Sequence, residues 1–216
     1  MATKAVHLAK FETSSLALGP IEPMYGGSGL KAQFLPVSHV VLPALRVPWK
    51  VEAQRWQGQA NASAKLAVTL TPDAKCVEEW IQSVERAAMA YVDQHRSKFF
   101  PGKKTKIAAA DIFNCSIRRS TDFDPVFTAK LAVRRDESSG MDDIKTPCFD
   151  MQTKDLIDAN VHLNKGAIVV AVVQPEKVYV INNSAGVTWK VVRIGIEAYD
   201  SDCPEGSAMD DFDFGQ

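Results

Sequence analysis

One stretch of this chain repeats its apolar residues at helical spacing, and nearly everything else alternates. Val77, Trp80, Ile81, Val84, Ala88 and Tyr91 recur at three- and four-residue steps, giving one apolar stripe that ends near Arg96. Thr71-Pro72-Asp73 supplies an N-cap followed by proline at the first helical position, and Pro101-Gly102 stops the helix. Around it lie short Val/Ile-rich runs: Ala64–Leu70, Ile107–Arg118, Val126–Arg134, Cys148–Gln152, Ala167–Val173, Val178–Ile181 and Val187–Ile196. Gln174-Pro175 and Asn182-Asn183-Ser184 punctuate them, as turns between antiparallel strands do. Pro36, Pro43 and Pro48 place 34–49 on sheet edges and in turns, because proline cannot donate to a central ladder. Seven or more strands around one long amphipathic helix predict an α+β, mainly β domain. An OB-like antiparallel barrel with extra strands is the natural member of that class.

Three segments are expected. Residues 1–30, with Pro20, Pro23 and Gly26-Gly27-Ser28-Gly29, read as an irregular N-terminal arm. Residues 31–196 form the folded domain, and 197–216 a disordered acidic tail. The tail holds seven acidic residues and no Lys or Arg, closing on Asp210-Asp211-Phe212-Asp213-Phe214. The whole chain has 25 basic and 26 acidic residues, so the rest has 25 against 26 − 7 = 19, a body of +6. Such asymmetry points to a polyanion partner or an acidic interaction tail.

The positive charge is concentrated. From His95 to Arg135 ten Lys and Arg face three Asp, an excess of seven. A groove that tracks phosphates requires such an excess, since each neutralised phosphate releases counterions. Val126–Arg134 turns Phe127, Ala129, Leu131 and Val133 to one face and Thr128, Lys130 and Arg134 to the other. A strand with a core face and a basic face suits the wall of such a groove. Candidate phosphate contacts are Lys98, Lys103, Lys104, Arg118, Arg119, Lys130 and Arg134, with Lys190 and Arg193 beside Trp189. Stacking candidates are Trp49 and Trp56, in polar stretches with basic neighbours, and Phe100 among lysines.

Signals for catalysis are missing. The chain has no Gly-x-x-x-x-Gly-Lys-Ser/Thr loop, Gly-x-Ser-x-Gly elbow or His-Glu-x-x-His. His7, His39, His95 and His162 lack metal-ligand spacing, and Asp142-Asp143 and Asp210-Asp211 read as solvated rather than as magnesium sites. No enzyme, cofactor or metal is expected. Scattered Cys76, Cys115, Cys148 and Cys203 read as reduced, mostly buried thiols. The longest apolar run, Ala167–Val173, is too short to cross a bilayer, and no apolar signal core follows Lys4, so an intracellular protein is expected.

Lys165–Ile196, with its Gly186-Val187-Thr188-Trp189-Lys190-Val191 strand, resembles the final hairpin of the OB-fold single-stranded-DNA-binding proteins of large nucleocytoplasmic DNA viruses. Lys98-Phe99-Phe100-Pro101-Gly102-Lys103-Lys104 is similar to the junction after their helix, and Phe127-Thr128-Ala129-Lys130-Leu131 to their next strand. The acidic tail resembles that of phage replicative binding proteins. The resemblance implies an OB barrel that binds single-stranded DNA with little sequence preference in replication, recombination or repair. It also implies a tail that competes for the groove and docks replication proteins through Asp210, Asp211, Phe212, Asp213 and Phe214. Tyr179 stands where that family would carry tryptophan, so no stacking role passes to it. A homodimer is compatible with the sequence. The other reading is a virion or assembly protein whose basic face meets an acidic partner.

Overall fold

The longest hydrogen-bonded unit is a hairpin that the sequence presents as three separate strands. Residues 5–12, 16–24, 29–55, 62–101, 108–135 and 140–199 are described by the computed structural model. In chain order the strands are β1 Val6–His7, β2 Ala17–Pro23, β3 Leu30–Leu35, β4 Val40–Arg46, β5 Ala64–Thr69, β6 Phe113–Asn114 and β7 Ile117–Arg118. They continue with β8 Val126–Leu131, β9 Val133–Arg135, β10 Asp142–Ile144, β11 Cys148–Asp150, β12 Leu156–Ile157, β13 Ala167–Ile181 and β14 Ser184–Tyr199. The helices are α1 Lys75–Gln94, α2 Arg96–Phe99 and α3 Ala159–His162.

β13 and β14 pair along their whole length, from Ala167↔Tyr199 to Ile181↔Ser184. Asn182 closes the two-residue turn at φ 54, a left-handed conformation that asparagine tolerates. Pro175 does not end the strand as the sequence suggests. A register shift lies between Pro175 and Lys177, so the missing N–H falls at a bulge and the ladder resumes beyond it. The hairpin is the spine of the sheet, and its two halves have different neighbours. Near its base β4 flanks β13 and β11 flanks β14. Near its tip β3 flanks β13, while β8 and β6 flank β14.

β5 and β7 pair with β8, and β9 with β10 forms a separate two-stranded ladder. Among the described residues the ladders branch and do not close into a ring. The fold is mainly β with one long helix, and the closed barrel expected from the sequence is not shown. The first thirty residues are not an irregular arm throughout, because β1 pairs with β4 and β2 with β3. At the other end β14 runs on to Tyr199, three residues past the boundary expected at 196.

The helical stripe packs as its spacing predicts. Val77, Trp80, Ile81, Val84 and Ala88 are buried; Tyr91 is half-buried, its hydroxyl donating to the Gly19 carbonyl at 2.7 Å, and Val92, outside the expected stripe, is buried beside it. Trp80 meets Trp189 edge-on at 5.2 Å, and Phe127 meets Trp189 at 5.3 Å. Edge-to-face contacts of this kind suit the ring quadrupoles and tie α1, β8 and β14 into one core. Trp189 donates its indole N–H to Ser116 Oγ at 2.6 Å, and the Ser116 N–H donates to the buried Glu85 carboxylate at 2.6 Å. The helix thereby holds the segment between β6 and β7 against the tip of the hairpin.

Cys76 and Cys115 are exposed and Cys148 is buried, so the expectation of mostly buried thiols does not hold among the described cysteines. No helix among the described residues is long and apolar enough to cross a membrane. No described cluster of three His, Cys, Asp or Glu could hold a metal ion.

Candidate nucleic-acid interface

β5, β8 and β14 are buried over most of their middle stretches, and their register decides which of their few outward side chains meet. Lys65 is exposed between buried Ala64 and Leu66, and Lys130 between buried Ala129 and Leu131. These two lysines are direct cross-strand partners. Lys190, exposed between Trp189 and Val191, is the partner of Lys130 on its other side. Three lysines therefore stand abreast, at roughly 4.8 Å per strand. Like charges directly opposite one another destabilise a sheet. A row of this kind is costly unless a polyanion occupies it.

Lys65 and Lys130 form one wall of an open groove of about 760 Å³. Arg118, on β7, extends that wall, and Lys177, on β13 and ion-paired with Glu176 at 3.8 Å, adds a fourth cation. Toward the hairpin tip the lining changes to Phe113, Tyr179, Ile181, Val187 and Met24. None of the described residues lining the groove is acidic. Partial desolvation of this otherwise exposed lysine against the wall, then Arg118 and Lys130 nearby, lowers the Lys65 pKa below the ordinary lysine value. The folded state thus binds this proton less tightly than the unfolded chain does. The resulting penalty is fully present below the folded pKa and disappears as pH rises toward the ordinary lysine value. Lys65→Met is expected to raise the melting temperature at pH 7 only slightly, by about 1–2 °C, because solvent around the exposed ammonium screens most of the repulsion. The gain should shrink toward strongly alkaline pH in paired thermal melts, and a destabilised variant at pH 7 contradicts it.

The aromatic end has its own constraint. Tyr179 is the cross-strand partner of Gly186. A Cβ placed on Gly186 would lie 2.8 Å from the Tyr179 hydroxyl oxygen and 3.0 Å from Cζ. The phenol therefore lies over the glycine, and a side chain there would push it away. Tyr179 is half-buried, with surface left for contact.

Of the residues expected from sequence, the structure brings Arg118 and Lys130 into the groove and sets Lys190 beside it. Arg119 is exposed but paired with Glu78 on α1. Arg134 is the register partner of Asp143 on the β9–β10 ladder and does not line the groove. Lys98 is exposed on α2 and Trp49 half-buried after β4, and neither lines the groove. Arg193 lies at the base of the hairpin, in a different depression. Phe100 is 2% exposed, so its ring is a core element with no face for a base. The stacking role expected of it is withdrawn. Lys103, Lys104, Trp56 and Asp210–Phe214 lie outside the described residues.

Sequence reasoning missed Lys65, Lys177 and Tyr179. Alternation at Ala64-Lys65-Leu66 does turn Lys65 outward, but its neighbours come from strands more than fifty positions away.

No family model matches the sequence, and no curated protein matches it. The fold is similar to solved structures. The single-stranded-DNA-binding protein of bacteriophage Enc34, in complex with single-stranded DNA, aligns at a TM-score of 0.50 with 10% identity, covering 86% of this chain and 98% of that one. The free Enc34 protein aligns at 0.50 with 10% identity, covering 89% and 98%. The single-stranded-DNA-binding protein gp2.5 of bacteriophage T7 aligns at 0.52 with 12% identity, covering 81% and 92%. These likenesses show the fold. They are to phage proteins, and no sequence match supports the narrower tie to nucleocytoplasmic viruses.

Proposed function

We propose that this chain binds single-stranded DNA with little sequence preference, as a non-catalytic protein of phage- or virus-type DNA replication, recombination or repair. The branched sheet is read as an OB-like scaffold. The observation that carries the reading is the polarised groove: cations on the β5–β8 wall, aromatic and apolar side chains at the hairpin tip, and no acid among the described lining. Phosphates run along Lys65, Lys130 and Arg118, with Lys190 next in the row. Bases turn toward Tyr179 and Phe113. A duplex keeps its bases stacked inside, so it presents phosphates but no ring faces to the aromatic end. The groove accordingly favours single strands.

Fluorescence anisotropy with labelled oligo-dT and a duplex of equal length tests this across salt. Tighter binding of oligo-dT, falling steeply as salt rises, is the expected result. Equal affinity for the duplex defeats the single-strand reading. No binding of either at low salt favours an assembly protein that meets an acidic partner.

The acidic segment enters as a rival through its field. Val187, at the groove, lies 12 residues before Tyr199, roughly 40 Å along the strand. Phe212 lies 13 residues beyond Tyr199, within ~45 Å only at full extension. Occupying its own groove would take nearly all of that reach. Deleting 200–216 should therefore strengthen oligo-dT binding at 0.01 M salt, where the Debye length is ~30 Å. The gain should vanish near 0.15 M, where that length is ~8 Å. A gain that persists at 0.15 M means direct occupancy instead.

A further inference from the structure

The base of the hairpin carries a second depression of about 400 Å³ that the nucleic-acid reading does not use. Its floor is apolar: Val41 on β4, Val170 and Val172 on β13, Phe149 on β11, and Met151. Met151 lies directly on Gly195, where a Cβ would collide with its sulfur. Leu156, 70% exposed, is the cross-strand partner of Phe149 and continues the apolar surface onto β12. An exposed apolar surface of this extent marks an interaction site.

The rim is cationic. Arg193, Lys154 and His7 border the depression, with Asp150 the one acid among its described lining. Asp150 is already engaged, since its Oδ1 accepts the backbone N–H of Gln152 at 2.7 Å and of Thr153 at 2.9 Å. Those bonds keep Asp150 ionised, and Arg193 and Lys154 outnumber that one carboxylate, so the rim keeps a net positive charge. An occupant needs aromatic or apolar groups for the floor and carboxylates for the rim.

The chain supplies such a segment. Asp210-Asp211-Phe212-Asp213-Phe214 alternates acids with phenylalanines, in a stretch without any Lys or Arg from 197 onward. β14 delivers it to this end of the molecule. Gly195, in the depression, lies only four residues before Tyr199, roughly 13 Å of strand. The 13 residues from Tyr199 to Phe212 cover that span with ample slack, whereas the nucleic-acid groove lies near the limit of their reach. We propose that the depression at the hairpin base is the seat of the chain's own Asp210–Phe214 segment. The phenylalanines enter the Val170–Phe149–Met151 floor, and the carboxylates face Arg193, Lys154 and His7. The segment and a bound nucleic acid then occupy opposite ends of one hairpin, and each can be present with the other.

The test uses the full chain with benzoylphenylalanine at position 212, illuminated without nucleic acid as a mixture of heavy- and light-isotope copies. Crosslinks mapped by mass spectrometry should fall within 149–151, 170–172 or 193–195 and join light to light and heavy to heavy. Saturating oligo-dT should leave them in place. The exposed double variant K154E/R193E, its folding checked by an unchanged melting temperature, should lose most of the crosslink. Crosslinks to 113–118 or 177–189, crosslinks only between heavy and light copies, or none at all overturn the proposal. The readout needs no DNA binding, so it stands or falls apart from the functional reading.

Discussion

Replacing Lys65 and Lys130 together by alanine should lower affinity for oligo-dT about a hundredfold at 0.1 M salt and flatten its salt dependence. The two lysines are register partners on adjacent strands, both exposed toward one groove with Arg118. Each charge-assisted phosphate contact is worth about 1.5–3 kcal/mol when made in a partly desolvated site, so two account for at least the stated loss. The slope of log affinity against log salt carries the sharper information. A single strand contributes about 0.7 per neutralised phosphate, so removing two contacts should reduce its magnitude by about 1.4. K98A/R134A removes the same formal charge from residues outside the groove and should leave the slope nearly unchanged. Equal effects from the two double variants would mean that net charge, and not this groove, holds the nucleic acid. The lysine pair also destabilises the free protein, so the weakened binder should melt no lower than the parent. Loss of binding with retained stability separates a site from a scaffold defect.

The order in which these features became visible follows the range of the interactions behind them. The helix was legible because its signal is local: Val77 through Tyr91 needs only a 3.6-residue period. The two-faced character of β8 was legible for the same reason, with Lys130 outward and Ala129 and Leu131 inward. Register is not local. Nothing near Lys65 announces that Lys130 and Lys190 stand beside it. Composition also misled at Phe100, which lies among lysines in sequence while its ring points into the core. Neighbouring charge says that a segment is near the surface, not which way one ring faces. Pro175 misled in the opposite sense, because a bulge in a central strand absorbs the absent donor that would otherwise end it. In the sequence Tyr179 reads only as a departure from a motif, and its relation to Gly186 exists only once the hairpin is in register.

That relation yields the other large effect. Tyr179→Ala should weaken oligo-dT binding by about 1–3 kcal/mol, or roughly 5- to 150-fold, the range of a lost base–aromatic stack. The salt slope should stay as it was, because no charge is removed, and this distinguishes the aromatic end from the lysine wall. Gly186→Ala reaches the same ring from the other strand. The added methyl would lie within 3.0 Å of the phenol, and β14 is held on both sides near this point by β13 and β6, so the ring must move. Gly186→Ala should then reproduce much of the loss caused by Tyr179→Ala with the tyrosine still present. The double variant should bind about as well as Tyr179→Ala alone, since a displaced ring and an absent ring remove one contact. Additive losses in that cycle would show that Gly186 affects binding by a route other than the phenol. A Tyr179→Trp variant keeps a planar face but enlarges it over a glycine that already limits the space. It should bind at least as tightly as the parent only while position 186 remains glycine, and should drop to the level of Gly186→Ala when the two changes are combined.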